Sequence, residues 1–484
     1  MRKNRNRLLK NFKFKFTEET EKSSRETIAD RKHQLTLMEE FLLSFKDLSD
    51  LMLTEFQHLN LKIYYFEHLI DKNRFEQLLT KIRKLSKEQL QDYIRQSEFR
   101  LLEDATNVEA TILNGDGILF VNEVPYELPY KDGESRAITA SETESVILGA
   151  HDAFVESLDV NLSLIRRRLM SPKLKAISLQ IGNIGKNTVY LLYIDDLIAK
   201  DDLEDLKNRL KTVKKDAIAD TNMLVQYIDE HPNSPFPQFF TTERPDVTVY
   251  KLLEGKIVGL FDNSPYAFCT PVSFFDFMES MDDFGQRWIV STFIRATRYA
   301  AILVTLMFTA LYVSVTTFHY EMIPQALLPT LIESRSRVPF PPVIEALFLE
   351  FLLELLREAG ARLPSKVGQT IGIVGGIVIG QAAVEAGITS NILIIVVAAS
   401  AIASFVVPSY LMSTSIRIVR FGFILVSGFW GNIGLVFGMG ILIIHLAGLT
   451  NLNAPYLLPL SPTYVRFFKY SLIRGPLKKN TERR

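Results

Sequence analysis

Cysteine occurs once in the 484 residues, at Cys269. That excludes a disulfide framework and any cysteine-based metal cluster within one chain, and leaves a thiol expected to pack as a small buried hydrophobe in a strand. Neither sign of charge prevails: 55 basic residues face 55 acidic ones. Apolar residues are 47% and charged ones 23%, yet the mean hydropathy is slightly positive, +0.11. Those values are compatible only if charge and apolar surface are segregated along the chain. They are: Ile388–Pro408, Phe421–Leu446 and Tyr299–Phe318 hold no Asp, Glu, Lys or Arg, whereas residues 18–110 are dense in them. A wholly water-soluble globule is therefore excluded, and so is a chain that is apolar from end to end. No apolar stretch follows the basic start (Arg2, Lys3, Arg5, Arg7, Lys10, Lys13, Lys15), so a secretory signal is not expected there. No Ser/His/Asp set, metal-ligand spacing or phosphate loop occurs; Gly428, Gly431, Gly434, Gly438 and Gly440 lie inside an apolar run rather than after a strand. An enzyme, a cofactor, a bound metal and a nucleic-acid partner are not expected.

What is present suggests an α+β chain: a soluble N-terminal region of two small α/β subdomains, then a helical polytopic membrane domain. Residues 1–30 form a basic arm able to touch anionic lipid. Residues 31–140 form the first subdomain, with helices over 30–105 and a strand pair about the glycines of Ala110–Asn122. Residues 141–285 form the second, with strands at 176–182, 187–194, 256–262 and 265–270 and a charged helix near 199–214. The run Arg166–Arg168 reads as a solvated helix end.

The membrane domain is expected over 286–450, with spans near 299–318, 367–386, 388–408 and 421–446. Pro339, Pro341 and Pro342 pre-set a helix start, and the 339–358 helix places Glu350, Glu354, Arg357 and Glu358 on one side, the pattern of an amphipathic interfacial or re-entrant helix. Glu345, in its first turn, suits a capping role or an ion ligand. His319 and His445 fall at the ends of apolar spans. Four spans put both termini on one face, and the basic flank Arg287, Arg295, Arg298 and the basic tail 451–484 assign that face to the cytosol. Arg417 and Arg420 would then lie outside, against the rule.

Gly368–Gly387 carries the most specific signal. Gly368, Gly372, Gly376 and Gly380 line one side of a helix, small-residue spacing that lets another helix approach closely. Val374, Val378, Gln381 and Glu385 share the opposite side. A carboxylate and an amide facing lipid are costly. Two readings follow: both groups bond to neighbouring helices near the membrane surface, or the helix lines an ion path with Val374 and Val378 as apolar constriction and Gln381 and Glu385 as hydrated mouth, in a homo-oligomer.

Ser234–Gln238 (SPFPQ), Thr242–Asp246 (TERPD), Val338–Pro342 (VPFPP), Glu354–Gly360 (ELLREAG) and the glycine helix occur in that order, with Phe154–Glu156 and Asn161–Arg166 before them. Together, over about 105–465, they resemble the A subunits of the GerA-type spore germination protein family. A departure is Ala140-Ser141 and Gly149-Ala150 where that family shows Glu-Pro and Gly-Pro. The resemblance implies a spore inner-membrane protein acting with a transporter-like B subunit and a lipoprotein C subunit. It implies, as the function, an oligomeric ligand-gated cation channel; the alternative is a non-conducting scaffold that transmits the signal.

Overall fold

The computed structural model describes residues 36–132, 141, 144, 146–362, 376, 380–461 and 473–475. The basic arm, most of the C-terminal tail, Gly368, Gly372, Val374 and Val378 lie outside the described residues. Backbone contacts group the chain into two units, residues 1–138 with 157–179 and 188–196, and residues 139–156 with 180–187 and 197–484. The border expected at 285/286 thus falls inside the second unit.

The first unit is built on an antiparallel sheet ordered β1-β2-β4-β5-β3, from β1 (Leu51–Phe56), β2 (Leu61–Phe66), β3 (Arg100–Leu101), β4 (Gly117–Val121) and β5 (Val124–Leu128). Register is set by tight turns: Val121 pairs with Val124 across Asn122-Glu123, both at positive φ. β4 is buried on both faces. Its Leu119 and Val121 join Phe56, Ile63 and Leu128 under α2 (Lys72–Ile82) and α3 (Lys87–Gln96). Its Ile118 and Phe120 meet Phe41, Tyr64 and Phe66 under α1 (Leu37–Ser44) and α4 (Ala105–Asn114). Helices on both faces explain the unbroken apolar run. The stretch Ala110–Asn122 is therefore not a strand pair. Val108 and Ile112, one turn apart, belong to α4, and Gly115 at φ 101° ends that helix in the left-handed region before β4 begins.

α5 (Leu158–Arg168) ends with the three arginines, and Arg166 is buried rather than solvated. Its Nε and Nη2 donate to Asp50 at 2.9 and 3.0 Å, its Nη1 donates to the Leu174 carbonyl at 2.8 Å, and the guanidinium lies 4.9 Å from the Phe66 ring centroid. β6 (Leu174–Ile181) and β7 (Asn187–Ile194) follow, neighbours in a sheet.

In the second unit α6 (Lys200–Thr212) and α7 (Thr221–Ile228) precede β8 (Phe240–Thr242), α8 (Pro245–Leu253), β9 (Ile257–Phe261) and β10 (Ala267–Thr270). β10 pairs antiparallel with both β9 and β8, and every residue of β9 and β10 is buried, Cys269 included. Burial raises the Cys269 thiol to about 12, so it stays protonated.

Helices then take over: α9 (Trp288–Thr317), α10 (Leu328–Arg335), α11 (Pro342–Arg362), α12 (Asn391–Ser404) and α13 (Tyr410–Gly448). α9 and α13 are each long and apolar enough to cross a membrane. α9 starts eleven residues before Tyr299, because Arg295 and Arg298 both pair with Asp283, Arg295 also with Glu279, and the helix carries them inside the protein. α12, at 14 residues, is shorter than the expected 388–408 span.

α13 is a reversal rather than one rod. Gly431 adopts φ 59°, ψ −142°, a conformation that only glycine takes readily. A Cβ on Gly434 would sit 2.5 Å from the Val426 carbonyl oxygen, and one on Gly438 would sit 3.4 Å from Phe423. The two arms, 410–430 and 432–448, are therefore antiparallel. Both return to the same loop: Ser415 Oγ, near the start, donates to the Pro235 carbonyl, and His445 Nε2, near the end, is 2.9 Å from Ser234 Oγ. The arms are about 31 and 25 Å long at 1.5 Å per residue, each close to a hydrocarbon thickness.

Candidate functional site

The reversal gives the bundle a base, against the α/β part of the second unit, and a distal end at Gly431. The top of α9 meets that distal end, since a Cβ on Gly431 would touch His319 and Ser314 Oγ donates to Asn432 Oδ1 at 2.7 Å. α11 descends from it: Val343 lies beside Gly428, Glu350 beside Arg420 and Glu354 beside Arg417.

These contacts put ionisable side chains inside the bundle at three levels. At the distal level Glu345 pairs with Arg335 at 3.2 Å and accepts from the Ser390 N–H at 3.3 Å. It thus caps the neighbouring helix α12, whose own N-cap, Ser390, accepts from Leu393 N. At mid-depth Glu350 and Arg420, both fully buried, approach to 2.6 Å. Thr309 Oγ1 donates to Glu350 at 2.8 Å, Arg420 Nη1 donates to Ser400 Oγ at 3.0 Å, and Ser400 donates to the Thr305 carbonyl at 3.3 Å. One turn lower, Glu354 takes Arg417 at 3.3 Å and Arg357 at 3.2 Å. Arg417 also donates to Ser413 and Thr414, and Arg357 to Ser404.

The 339–358 expectation is therefore corrected in one respect. Of the polar side of α11, Glu350 is buried, Glu354 and Arg357 are half-buried against the first α13 arm and α12, and Glu358 is exposed, while Phe348, Phe351 and Leu355 are exposed. A helix surrounded by apolar surroundings must turn its charges toward protein partners. Arg417 and Arg420 likewise lie in the interior rather than in a loop. The sequence held a signal for this pairing, two arginines flanked by apolar runs, but only the packing of α11 against the first α13 arm reveals the partner acids, 63 and 70 residues away.

The sequence-predicted pore face is described in part. Gln381 Nε2 donates to Glu385 Oε1 at 2.8 Å across one helical turn, and both side chains are exposed. A Cβ on Gly376 or Gly380 would meet nothing within 4 Å among the described residues. Gly387, just beyond, packs on the Arg337 carbonyl at the distal end.

At the base, polar clusters tie the bundle to the α/β part of its own unit. Asp283 accepts from Arg295 Nε at 2.9 Å and from Arg298 Nη1 at 2.8 Å. Lys251 Nζ, fully enclosed, contacts Asp276 at 2.7 Å, Glu254 at 3.2 Å and Glu279 at 3.3 Å, with the Phe240 and Tyr250 ring centroids 5.7 Å away. Those three carboxylates have ligand atoms within 4.8 Å of one another, a spacing that suits a cation, and the ammonium supplies that charge. Burial disfavours both charged forms. The three acids nevertheless hold Lys251 well above its ordinary value, and the two lysines Lys251 and Lys256 hold Asp276 below its own. Beyond α13, Glu230 accepts from Thr450 Oγ1 at 2.5 Å and from Leu452 N at 2.8 Å, and Asn451 accepts from Thr270 Oγ1 at 2.5 Å.

The arrangement defines a class: an α+β chain whose helical region holds two helices apolar and long enough for a membrane, braces its base on an α/β sheet and buries its charges as pairs. The chain belongs to the GerA family of spore germination proteins. The family model described as Bacillus/Clostridium GerA spore germination protein matches residues 39–484. Spore germination protein GerQA of Bacillus cereus is 44% identical over 86% of this chain and 85% of its own length. GerIA of the same species is 40% identical over 93% and 68%, and spore germination protein A1 of Bacillus subtilis (strain 168) is 38% identical over 86% and 87%. A crystal structure of the N-terminal domain of the A subunit of the Bacillus megaterium spore germinant receptor GerK3 aligns with a TM-score of 0.36 and 22% identity, over 49% of this chain and 96% of that one.

Proposed function

We propose that the chain is the A subunit of a nutrient germinant receptor in the spore inner membrane, working with a transporter-like B subunit and a lipoprotein C subunit. Several copies assemble into a ligand-gated cation channel, with Val374 and Val378 at its constriction and Gln381 and Glu385 at its mouth. One observation carries this reading: Gln381 and Glu385 are exposed on a helix whose glycines Gly376 and Gly380 face open space among the described residues. An amide–carboxylate pair facing lipid is costly, and glycines without a neighbour leave a close-packing surface to fill. A second copy fills the surface, and a shared aqueous space hydrates the pair.

The test is cation flux through the purified full chain in liposomes, with germination of spores carrying the same variants. Val378→Ala is expected to leak and to germinate without nutrient, and Glu385→Lys to lower cation flux. Unchanged flux and germination in both variants would overturn the channel.

A non-conducting scaffold is the second reading, and the Gln381–Glu385 hydrogen bond favours it, because the pair partly satisfies itself. This reading expects both of those variants to germinate normally, and Gly372→Leu or Gly376→Leu, which fill the packing surface, to fail.

A further inference from the structure

The lower half of the bundle does not balance its charge. Three guanidiniums, Arg357, Arg417 and Arg420, face two carboxylates, Glu350 and Glu354, leaving one positive charge in excess. Arg417 is 4% exposed and Arg420 fully buried, whereas Arg357 and Glu354 are half-buried, so the surplus is least screened at Arg417 and Arg420. An uncompensated buried charge is strongly destabilising.

Among the described residues no other acid pairs with these guanidiniums. Glu345 is taken by Arg335 and Glu358 by Arg362, and Glu385 is bonded to Gln381. Between 363 and 384 the sequence contains no Asp or Glu, only Lys366, and beyond 461 its single acid is Glu482 among many basic residues. The hydrogen bonding tells the same story independently. Nε of Arg417 and Nε of Arg420 are enclosed N–H donors without an acceptor. They lie three residues apart, on one face of the first α13 arm, and the hydroxyls of Ser413, Thr414 and Ser400 surround the same guanidiniums. Unfilled donors, hydroxyls and a surplus positive charge all call for one acceptor bearing one negative charge.

We propose that the lower bundle holds a small monovalent anion of chloride's size beside Arg417 and Arg420. A cation is excluded because both carboxylates are already paired. The anion neutralises the surplus and locks the first α13 arm to α11. The inference does not rest on the conducting reading, since a channel and a scaffold need the same internal balance.

The experiment is thermal unfolding of the purified full chain in detergent, with gluconate exchanged for chloride or bromide at fixed ionic strength. The midpoint is expected to rise by roughly 2 °C or more in either halide, in proportion to occupancy. Arg417→Gln removes the surplus while Glu354 keeps Arg357, so the halide effect is expected to vanish in that variant. If the variant does not fold, halide NMR line broadening on the unaltered protein, competed away by bromide but not by gluconate, provides the second readout. An unaltered protein equally stable in gluconate and chloride, or an Arg417→Gln protein with an undiminished halide effect, would overturn the site. Cation flux is measured separately, so either idea can fail without the other.

Discussion

The first unit and the helical bundle each bury an arginine against an acid, and the settings differ. Asp50 and Arg166 sit in a unit whose sheet is covered on both faces by apolar clusters, and the arginine forks both carboxylate oxygens while also reaching a backbone carbonyl. Glu350 and Arg420 lean on hydroxyls, Thr309 and Ser400, and belong to a series of charges running through several helices. In the first unit the pair fastens a helix end to a strand junction within a core that would exist without it. In the bundle the outer surface is apolar, so contacts among charges and hydroxyls supply much of what distinguishes inside from outside. Apolar contact alone does not select which faces meet, and the polar pairs do.

The sharpest way to break that contrast is Arg420→Met, which leaves Glu350 buried and unpaired. It is expected to cost about 3–5 kcal/mol, seen as loss of folded protein in detergent, whereas the Arg420→Met, Glu350→Met double variant is expected to recover most of it. No recovery in the double variant would mean the pair is not the contact that matters.

A second prediction uses pH on the α/β part of the second unit, which braces the bundle. Glu144 accepts from Thr242 Oγ1 at 2.8 Å, and burial raises its carboxyl to about 7. A raised acid binds its proton more readily folded than unfolded. Its stabilising share is therefore full below the unfolded value near 4.5 and is lost as pH rises towards 7, on the order of a few kcal/mol. Glu144→Gln is expected to flatten that slope in unfolding curves recorded across the interval; an equally steep slope in the variant would count against the assignment.

The third concerns the reversal. Gly431→Ala forces a side chain into the left-handed region and against His319, at a cost of about 1–3 kcal/mol. The check is a lower unfolding midpoint together with loss of a cysteine crosslink between the two α13 arms. The smallest effect belongs to the exposed pair: Glu385→Gln is expected to change stability by less than about 0.5 kcal/mol, read from the same unfolding curves.

Much of the soluble fold was legible from pattern. The strands at 187–194 and near 257–261 and 267–270, and the helix at 200–212, carry local periodicity and turn residues that need no distant partner. The stretch around Gly115 is ambiguous in sequence, because a glycine that ends a helix and one that turns a hairpin look alike until Val108 and Ile112 are seen on one helical face. The charged sites were the least legible. Glu350 looked like the wet side of a surface helix, and Arg166 like a solvated end. The partner of each is far away in sequence, Arg420 in one case and Asp50 in the other.

The sequence by itself determined the division into charged and apolar stretches, the family, and the glycines, since composition, spacing and local propensity are properties of neighbours. Only the tertiary structure decided where α13 turns back, which side of α11 faces inward, and that three arginines meet two acids. Pairing across the bundle depends on how α11 packs against the first α13 arm, and no local pattern encodes the cost of leaving a distant charge alone.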